Sequence, residues 1–323
     1  MKRMVISFLT CMAVVSSYAC TTFCINHNGQ IVFGRNYDWV TGAGIVYTNH
    51  RGLFKTSKEA SDGATTSWVS KYGSISFNQY GKEFPTGGMN EKGLVVELMW
   101  LEETVYPAKD ARASLMILQW IQYQLDNSSS VAEVIATDAS VRISSSGSPL
   151  HYQVAEAAGN VATIEFLDGK MVVHKGKELS FPLLTNSTYS SSAATVRSSF
   201  NRKNISLSDN SLDRFVKACG MIKQLKDSNV TMPLTDYAFS ILDRVSQGSF
   251  TKWSIVYDIS KKNIYFKTNE YTAIKILNFS GFDLSCNKPS KMFNMNQQTI
   301  GNINAKFTLL DTDLKRKLLD QAV

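Results

Sequence analysis

Turn dipeptides between strand-length runs are the feature that most constrains the fold of this chain. Asn28-Gly29 joins two short alternating runs, 21–26 and 30–35, and this dipeptide favours the tight turn of an antiparallel hairpin. Gly159-Asn160 and Asp168-Gly169 link three further runs in the same way. The runs predicted as strands are 21–26, 30–35, 72–77, 94–101, 151–157, 161–167, 170–174, 253–259, 263–267 and 272–277.

Helical periodicity separates these strand groups. The pattern predicts helices over 111–126, 212–225, 236–246 and 312–321, and Ser130 followed by Glu133 is a capping box that opens another short helix. Strands and helices in this order indicate an α+β fold of antiparallel sheets covered by helices. Because no linker or repeat divides the chain, we expect one domain over residues 20–323.

Composition limits the class of protein. The chain has 323 residues, 44% of them hydrophobic and 19% charged, which is typical of a globular protein. Its net charge of +7 is scattered, and the tightest basic clusters, 261–262 and 315–317, are interpreted as solvated surface. We therefore expect no nucleic-acid partner.

The first nineteen residues have the pattern of a signal peptide. Lys2 and Arg3 precede an apolar stretch at 5–15, and Ser17 and Ala19 place small residues at −3 and −1 of a cut before Cys20. The apolar stretch is too short to span a bilayer, and no later segment is apolar enough to do so. We expect cleavage before Cys20, no integral membrane segment afterwards, and a periplasmic or secreted protein.

A cysteine directly after a signal peptide also has a second interpretation, the lipid-modified residue of a lipoprotein. That processing favours an aliphatic residue three places before the cysteine and a small residue directly after that one. This chain has Ser17 and Tyr18 at these two places. The sequence leaves a disulfide among Cys24, Cys219 and Cys286 open. If Cys20 is catalytic, it must stay unbonded.

The usual catalytic motifs are absent. The chain has no G-x-S-x-G elbow, no P-loop and no H-E-x-x-H or C-x-x-C pair. Its four histidines have no metal-ligand spacing, so no metal or other cofactor is expected; they are His27, His50, His151 and His174. What remains is a nucleophile that carries its own base: an N-terminal Cys20 would have both a thiol and an α-amine.

Two charged residues at the end of the second strand would assist that chemistry. A free thiol with a pKa near ~8.5 is only about 3% thiolate at pH 7, and a cation beside it raises that fraction. Arg35 would be this cation, and Asp38 would accept a hydrogen bond from the α-amine of Cys20. The alternative is an ordinary surface ion pair.

Cys20, Arg35 and Asp38 with their neighbours resemble the N-terminal sequence of the choloylglycine hydrolases. This family comprises bile salt hydrolases, penicillin V acylases and related amide hydrolases with an N-terminal nucleophile. The resemblance runs over about residues 20 to 280. The segments that carry it are Cys20-Thr21-Thr22, Phe33 to Trp39, Gly88 to Leu94, Leu184 to Ser187 and Asp213-Arg214-Phe215.

The resemblance implies a four-layer αββα sandwich of antiparallel sheets, the N-terminal nucleophile hydrolase fold. It implies Cys20 as nucleophile and, through its amine, base, with Arg35 and Asp38 against it. It further implies that the side chain of Asn186 donates to the tetrahedral oxyanion, and that Arg214 supports the site electrostatically. Taken alone, Asn186 would be interpreted as a turn residue and Arg214 as a helix-surface charge.

Two departures from the family pattern bear on substrate and assembly. The second oxyanion donor is a backbone N–H at a position that many bile salt hydrolases fill with Asn, and this chain has Trp100 there. Its indole would favour a flatter or aromatic acyl group. The stretch from Asn186 to Arg214 is shorter than in typical members. In tetrameric relatives the corresponding stretch carries an assembly hairpin, so the resemblance does not extend to a tetramer. A homo-oligomer stays open.

We therefore expect hydrolysis of a small-molecule linear amide through an acyl-enzyme, in the manner of a penicillin V acylase. A bile salt hydrolase and an N-acyl homoserine lactone acylase, which hydrolyses the amide bond of that lactone, are the near alternatives. A non-catalytic lipoprotein anchored at Cys20 is the alternative of another class.

Overall fold

The computed structural model describes residues 20–58, 65–199, 206–227 and 231–321. The expected signal peptide at 1–19 lies outside them. In chain order, strands β1 to β20 are Thr21–His27, Gln30–Asp38, Ile45–Asn49, Phe54–Thr56, Ser67–Val69, Ser74–Asn78, Pro85–Asn90, Val95–Trp100, Ala113–Leu115, Val141–Ile143, Leu150–Ala155, Val161–Leu167, Lys170–Lys175, Leu183–Leu184, Thr251–Asp258, Asn263–Thr268, Lys275–Asn278, Lys291–Asn294, Gly301–Asn302 and Thr308–Leu309. Helices α1 to α6 are Ile117–Asn127, Val131–Ala136, Tyr189–Ser199, Ser211–Asp227, Leu234–Arg244 and Thr312–Asp320.

Two large, mainly antiparallel sheets form the centre of the fold. The first has the strand order β14-β1-β2-β15-β16-β17-β19, and the second has the order β13-β12-β11-β8-β7-β6-β3-β18-β20. Helices α4 and α5 pack on the first sheet and α1 packs on the second. This is the four-layer αββα sandwich expected from the resemblance.

The apolar residues of the described chain form two main cores. One includes the facing side chains of the two sheets and the inner faces of α3, α4 and α5, and the other lies between the second sheet and helices α1 and α2. The sheets also meet through a polar contact, because Thr22 Oγ1 donates to Met99 Sδ over 3.0 Å. Side chains that alternate along each strand therefore reach either the inter-sheet layer or a helix layer.

The hairpin predicted at Asn28-Gly29 is present. Asn28 and Gly29 both have positive φ, 49° and 79°, as the tight turn requires, and β1 pairs with β2 from His27 opposite Gln30 to Thr21 opposite Asn36. One half of the predicted capping box is present, since Ser130 Oγ accepts the Glu133 backbone N–H, while the Glu133 side chain accepts the backbone N–H of Ser129.

One helix prediction was wrong in part, and one helix was not predicted. The helix predicted over 111–126 begins only at Ile117, because Ala113–Leu115 forms a strand that pairs in parallel with Val141–Ile143. A strand partner far along the chain overrides local periodicity here. Helix α3, Tyr189–Ser199, was not predicted, since its Ser-rich sequence has low helix propensity and a weak apolar face.

Candidate active site

The first sheet brings three predicted site residues together. Leu184 of β14 pairs with Thr22 of β1, so the residues after β14 run back toward Cys20 and place Asn186 beside it. On the other side, Asp38 ends β2, the hairpin partner of β1. The end of the sheet at the start of β1 thus carries Cys20 between Asn186 and Asp38.

The thiol of Cys20 is buried at this end of the sheet. Only 4% of the residue is exposed, and its Sγ lies 3.9 Å from the backbone oxygen of Asp38. Burial raises the pKa of the Cys20 thiol to about 11, while the charge of Arg35 opposes that rise and the charge of Asp38 adds to it. The predicted cation, Arg35, acts on the thiol, but its effect on the thiol pKa is smaller than that of burial.

Arg35 is held from the second sheet. Its Nη1 donates to the Thr86 carbonyl over 2.9 Å and forms an ion pair with Glu97, which also accepts a hydrogen bond from the Tyr257 hydroxyl. Burial raises the pKa of Glu97 to about 7, against the opposing charge of Arg35. Arg35 is fully buried, so this pair is not the surface ion pair considered for it.

Asp38 is a buried carboxylate at the site. In the part of the chain that the structure describes, neither of its oxygens has a partner at hydrogen-bond distance. Burial raises the pKa of Asp38 to about 7, and the nearby Thr251 hydroxyl, Arg214 and Arg35 offset that rise in part. A carboxylate in this state can accept a hydrogen bond from a cationic neighbour.

Arg214 joins Cys20 to Asn186. Its Nη1 donates to the Cys20 carbonyl over 2.7 Å and to Thr21 Oγ1 over 2.6 Å, and its Nη2 donates to Asn186 Oδ1 over 3.0 Å. Arg214 is fully buried, so it is not a helix-surface charge. Asn186 Nδ2 in turn donates to the Trp100 carbonyl over 2.8 Å, so both ends of the amide have partners.

The backbone of Trp100 points toward the same place. Leu101 N–H donates to Pro149 O over 3.0 Å, and Trp100 lies opposite Leu150 of β11. Because backbone groups alternate in direction along an antiparallel strand, the N–H and C=O of Trp100 point away from β11, to the side where Asn186 lies. Asn186 Nδ2 and the Trp100 N–H therefore lie at the same strand edge.

An aromatic cavity opens beside the thiol. Its volume is about 320 Å³, and its walls are Cys20, Tyr37, Asp38, Trp39, Tyr80, Thr86, Leu98, Trp100, Ile117, Leu118, Ser148 and Leu150. The rings of Trp39 and Trp100 have centroids 6.5 Å apart, and Tyr37 stacks on Trp39 at 6.2 Å. A larger cavity of about 620 Å³ includes Cys24 but none of the predicted site residues.

Other chemistry is sparse in the described ranges. No cluster of three or more His, Cys, Asp or Glu there is arranged to hold a metal ion, and no helix there is long and apolar enough to cross a membrane. The four cysteines from Cys20 onward are not joined by a disulfide. The residues predicted for the site lie together at one end of the sandwich; they are Cys20, Arg35, Asp38, Trp100, Asn186 and Arg214.

Two residues at the site were not predicted from the sequence, Glu97 and Tyr257. The signal for Glu97 was present, because a carboxylate within the apolar run of β8 must find a partner when the strand is buried on both faces. Tyr257 gave no such signal, since tyrosine is common in strands.

Comparison with known proteins supplies the context for this site. A family profile described as linear amide C-N hydrolases, choloylglycine hydrolase family, matches residues 20–224. A penicillin V acylase from Pectobacterium atrosepticum is 30% identical over 240 residues, which is 66% of this chain and 62% of that protein. The alignment thus spans less than two thirds of that curated relative.

Solved structures share the fold. A penicillin V acylase from Agrobacterium tumefaciens superposes with a TM-score of 0.79 at 27% identity, covering 90% of this chain and 98% of that one. A conjugated bile acid hydrolase from Clostridium perfringens superposes with a TM-score of 0.73 at 19% identity, covering 87% and 98%. At that identity the second likeness concerns the fold alone.

Proposed function

The chain belongs to the choloylglycine hydrolase family of linear amide C-N hydrolases, and we propose that it hydrolyses amides with a compact aromatic acyl group, as a penicillin V acylase does. The aromatic cavity of about 320 Å³ beside Cys20 carries this proposal. Its volume is near the lower end of the ~300–1,000 Å³ range of ligand pockets, and aromatic rings favour stacking with a flat group.

In this proposal Cys20 is the nucleophile of a chain cut before it, in the periplasm or outside the cell. With a thiol pKa of about 11, only about one thiol in ten thousand is ionised at pH 7. A base must therefore take the proton as the sulfur attacks. The α-amine of Cys20, with an ordinary pKa of ~7.7–8.0, is that base, and Asp38 accepts a hydrogen bond from it.

The substrate carbonyl becomes a tetrahedral oxyanion when the S–C bond forms. Asn186 Nδ2 and the Trp100 N–H, which lie at one strand edge, donate to that oxygen. A donor of this kind contributes ~2.7–4 kcal/mol to transition-state stabilisation. The α-ammonium then protonates the leaving nitrogen, the C–N bond breaks, and a thioester remains on Cys20.

Water completes the cycle. The α-amine takes a proton from the attacking water, the thioester breaks, and the acid leaves while the proton returns to the thiol sulfur. The same two donors hold the second oxyanion. No step requires a cofactor.

A three-substrate panel tests the proposal: penicillin V, glycocholate and an N-acyl homoserine lactone. We expect the processed protein to hydrolyse penicillin V with the highest kcat/KM, and Cys20→Ser to lose at least about a thousandfold in kcat. Cys24→Ala is the matched control, because Cys24 is equally buried four residues away but lines the other cavity.

Preference for glycocholate or for the lactone would replace the proposed substrate with that alternative. Undiminished hydrolysis by Cys20→Ser would show that another group is the nucleophile. If the processed protein hydrolysed none of the three, the proposed function would be wrong.

A further inference from the structure

A buried carboxylate outside the reacting groups contacts the segment that carries Asn186. Glu165 of β12 accepts the backbone N–H of Tyr189 through Oε1 over 2.8 Å. Tyr189 is the first residue of α3 and lies three residues after Asn186. We propose that Glu165 is a positioning residue for acyl transfer: it fixes the start of α3 and thereby keeps the Asn186 amide at the oxyanion. This inference rests on the proposed function.

Two histidines on neighbouring strands flank Glu165, and of these only His151 is within hydrogen-bond distance. His151 Nδ1 lies 3.3 Å from Oε1, and His174 Nε2 lies 3.6 Å from Oε2. His151 precedes Tyr152, which pairs with Ile164 next to Glu165, and both His151 and Glu165 are fully buried. A carboxylate buried in this way costs free energy unless it is paired and hydrogen-bonded, as Glu165 is through Oε1.

Tyr189 is fixed by its side chain as well as by its backbone. Its ring lies against the His174 ring with centroids 4.7 Å apart, and its hydroxyl accepts the Phe181 N–H over 3.1 Å. On the other side of Asn186, Leu184 pairs with β1. The four residues between β14 and α3 are thus held at both ends, and Glu165 is the acceptor at one of them.

The chain offers a matched residue with the same local role but no site residue nearby. Glu156 Oε2 accepts the backbone N–H of Val131, the first residue of α2, over 2.5 Å. Helix α2 carries none of the proposed catalytic groups, and Glu156 lines the larger cavity. A general effect of losing a buried carboxylate at a helix start would appear in both residues.

The experiment compares Glu165→Gln, Glu156→Gln, Asn186→Ala and the Glu165→Gln/Asn186→Ala double variant on the best substrate of the panel. We expect Glu165→Gln to lower kcat about tenfold with KM within about twofold, since part of the ~10²–10³-fold effect of one oxyanion donor is lost. Glu156→Gln should change neither constant. The double variant should be no slower than Asn186→Ala, because the two residues act through one donor.

Hydrogen exchange supplies a readout that does not need activity. The exchange rate of the Tyr189 amide should increase in Glu165→Gln and should stay at the wild-type value in Glu156→Gln. Multiplicative losses in the double variant, equal losses in Glu156→Gln, or unchanged Tyr189 exchange would overturn the inference. If the wild-type protein hydrolyses none of the panel, the proposed function fails alone, and Tyr189 exchange still decides whether Glu165 anchors the segment.

A milder variant covers the case in which Glu165→Gln does not fold. His174→Phe keeps a ring against Tyr189 but removes the nitrogen that faces Glu165, and His174 lies on the edge strand β13 with its side chain partly exposed. We expect about a threefold loss in kcat from it, again absent in the Asn186→Ala background. A threefold loss that persists in that background would contradict the inference.

Discussion

Arg214 Nη1 donates to the carbonyl oxygen of Cys20 over 2.7 Å, although the two residues are 194 positions apart in the chain. Its Nη2 reaches Asn186 Oδ1 over 3.0 Å, so one planar guanidinium sets the distance between the proposed nucleophile and an oxyanion donor. The fork of an arginine can hold two partners at fixed directions, which a single ammonium cannot.

Arg214→Lys should therefore slow catalysis without abolishing folding. We expect kcat to fall about 10- to 100-fold, equivalent to ~1.4–2.7 kcal/mol, with little change in KM. Steady-state kinetics on penicillin V measure this. Arg51→Lys, in the exposed pair with Glu91, is the control and should leave both constants unchanged. If kcat and KM were the same in Arg214→Lys and Arg51→Lys, Arg214 would have no role in catalysis.

Asp38→Asn should separate thiol reactivity from catalysis. The negative charge of Asp38 raises the pKa of the Cys20 thiol, so its removal lowers that pKa and increases the thiolate fraction at any pH below about 11. We expect alkylation by iodoacetamide at pH 8 to become roughly three- to tenfold faster. Hydrolysis should slow at the same time, because the α-amine loses its charged acceptor and the neutral amide oxygen of Asn is a weaker one. Slower alkylation in the variant would contradict the electrostatic account.

Alkylation also has an expected pH profile in the wild-type protein. Since the pKa of Cys20 is about 11, its alkylation rate should rise about tenfold per pH unit between pH 7 and 9. Peptide mapping distinguishes Cys20 from Cys24, whose pKa is raised by burial to about 12. A rate that levels off below pH 9 would show that the thiol ionises more easily than its burial implies.

Trp100→Ala should change which acyl group is preferred. Loss of the indole beside Trp39 removes an aromatic contact worth ~0.5–1.5 kcal/mol and enlarges the cavity. We expect kcat/KM for penicillin V to fall about tenfold while the value for glycocholate falls less or rises. Trp100→Phe should keep most of the preference, since the backbone donor and a ring remain. An unchanged ratio of the two substrates would mean that the indole does not form the acyl pocket.

Gly87→Ala should destabilise the fold beneath the site. A Cβ at Gly87 would overlap the Glu97 carboxylate, which pairs with Arg35. We expect a loss of ~3–5 kcal/mol in the free energy of unfolding, because the buried ion pair would have to break or move. Gly220→Ala within α4 meets nothing within 4 Å and should stabilise by ~0.5–1 kcal/mol. Urea denaturation compares them, and similar losses in both would be evidence against the overlap.

Much of the fold follows from local signals. The Asn28-Gly29 turn fixes the hairpin that brings Asp38 back toward Cys20, and the family resemblance adds Asn186 and Arg214 in the order the structure uses them. Those signals lie within one stretch of chain or one recognisable motif. The resemblance itself is confirmed by the family profile over residues 20–224.

Other parts depend on contacts that no local pattern contains. Helix α3 forms from a Ser-rich segment because Glu165 and tertiary packing hold its first turn, and 113–115 becomes a strand only through its partner β10. The high pKa of Cys20 arises from burial by both sheets, which the charge pattern around Arg35 did not indicate. Cross-sheet pairs such as Arg35 with Glu97 belong to the same class.

Peptide mass spectrometry of the processed protein, before and after brief exposure to penicillin V, tests the central claim most directly. The account predicts an N-terminal peptide that begins at Cys20 with an unmodified α-amine, and a transient acyl adduct on its sulfur that Cys20→Ser does not form. A chain that begins at another residue, a lipid or acyl group on the Cys20 amine, or an adduct on another residue that persists in Cys20→Ser would contradict it.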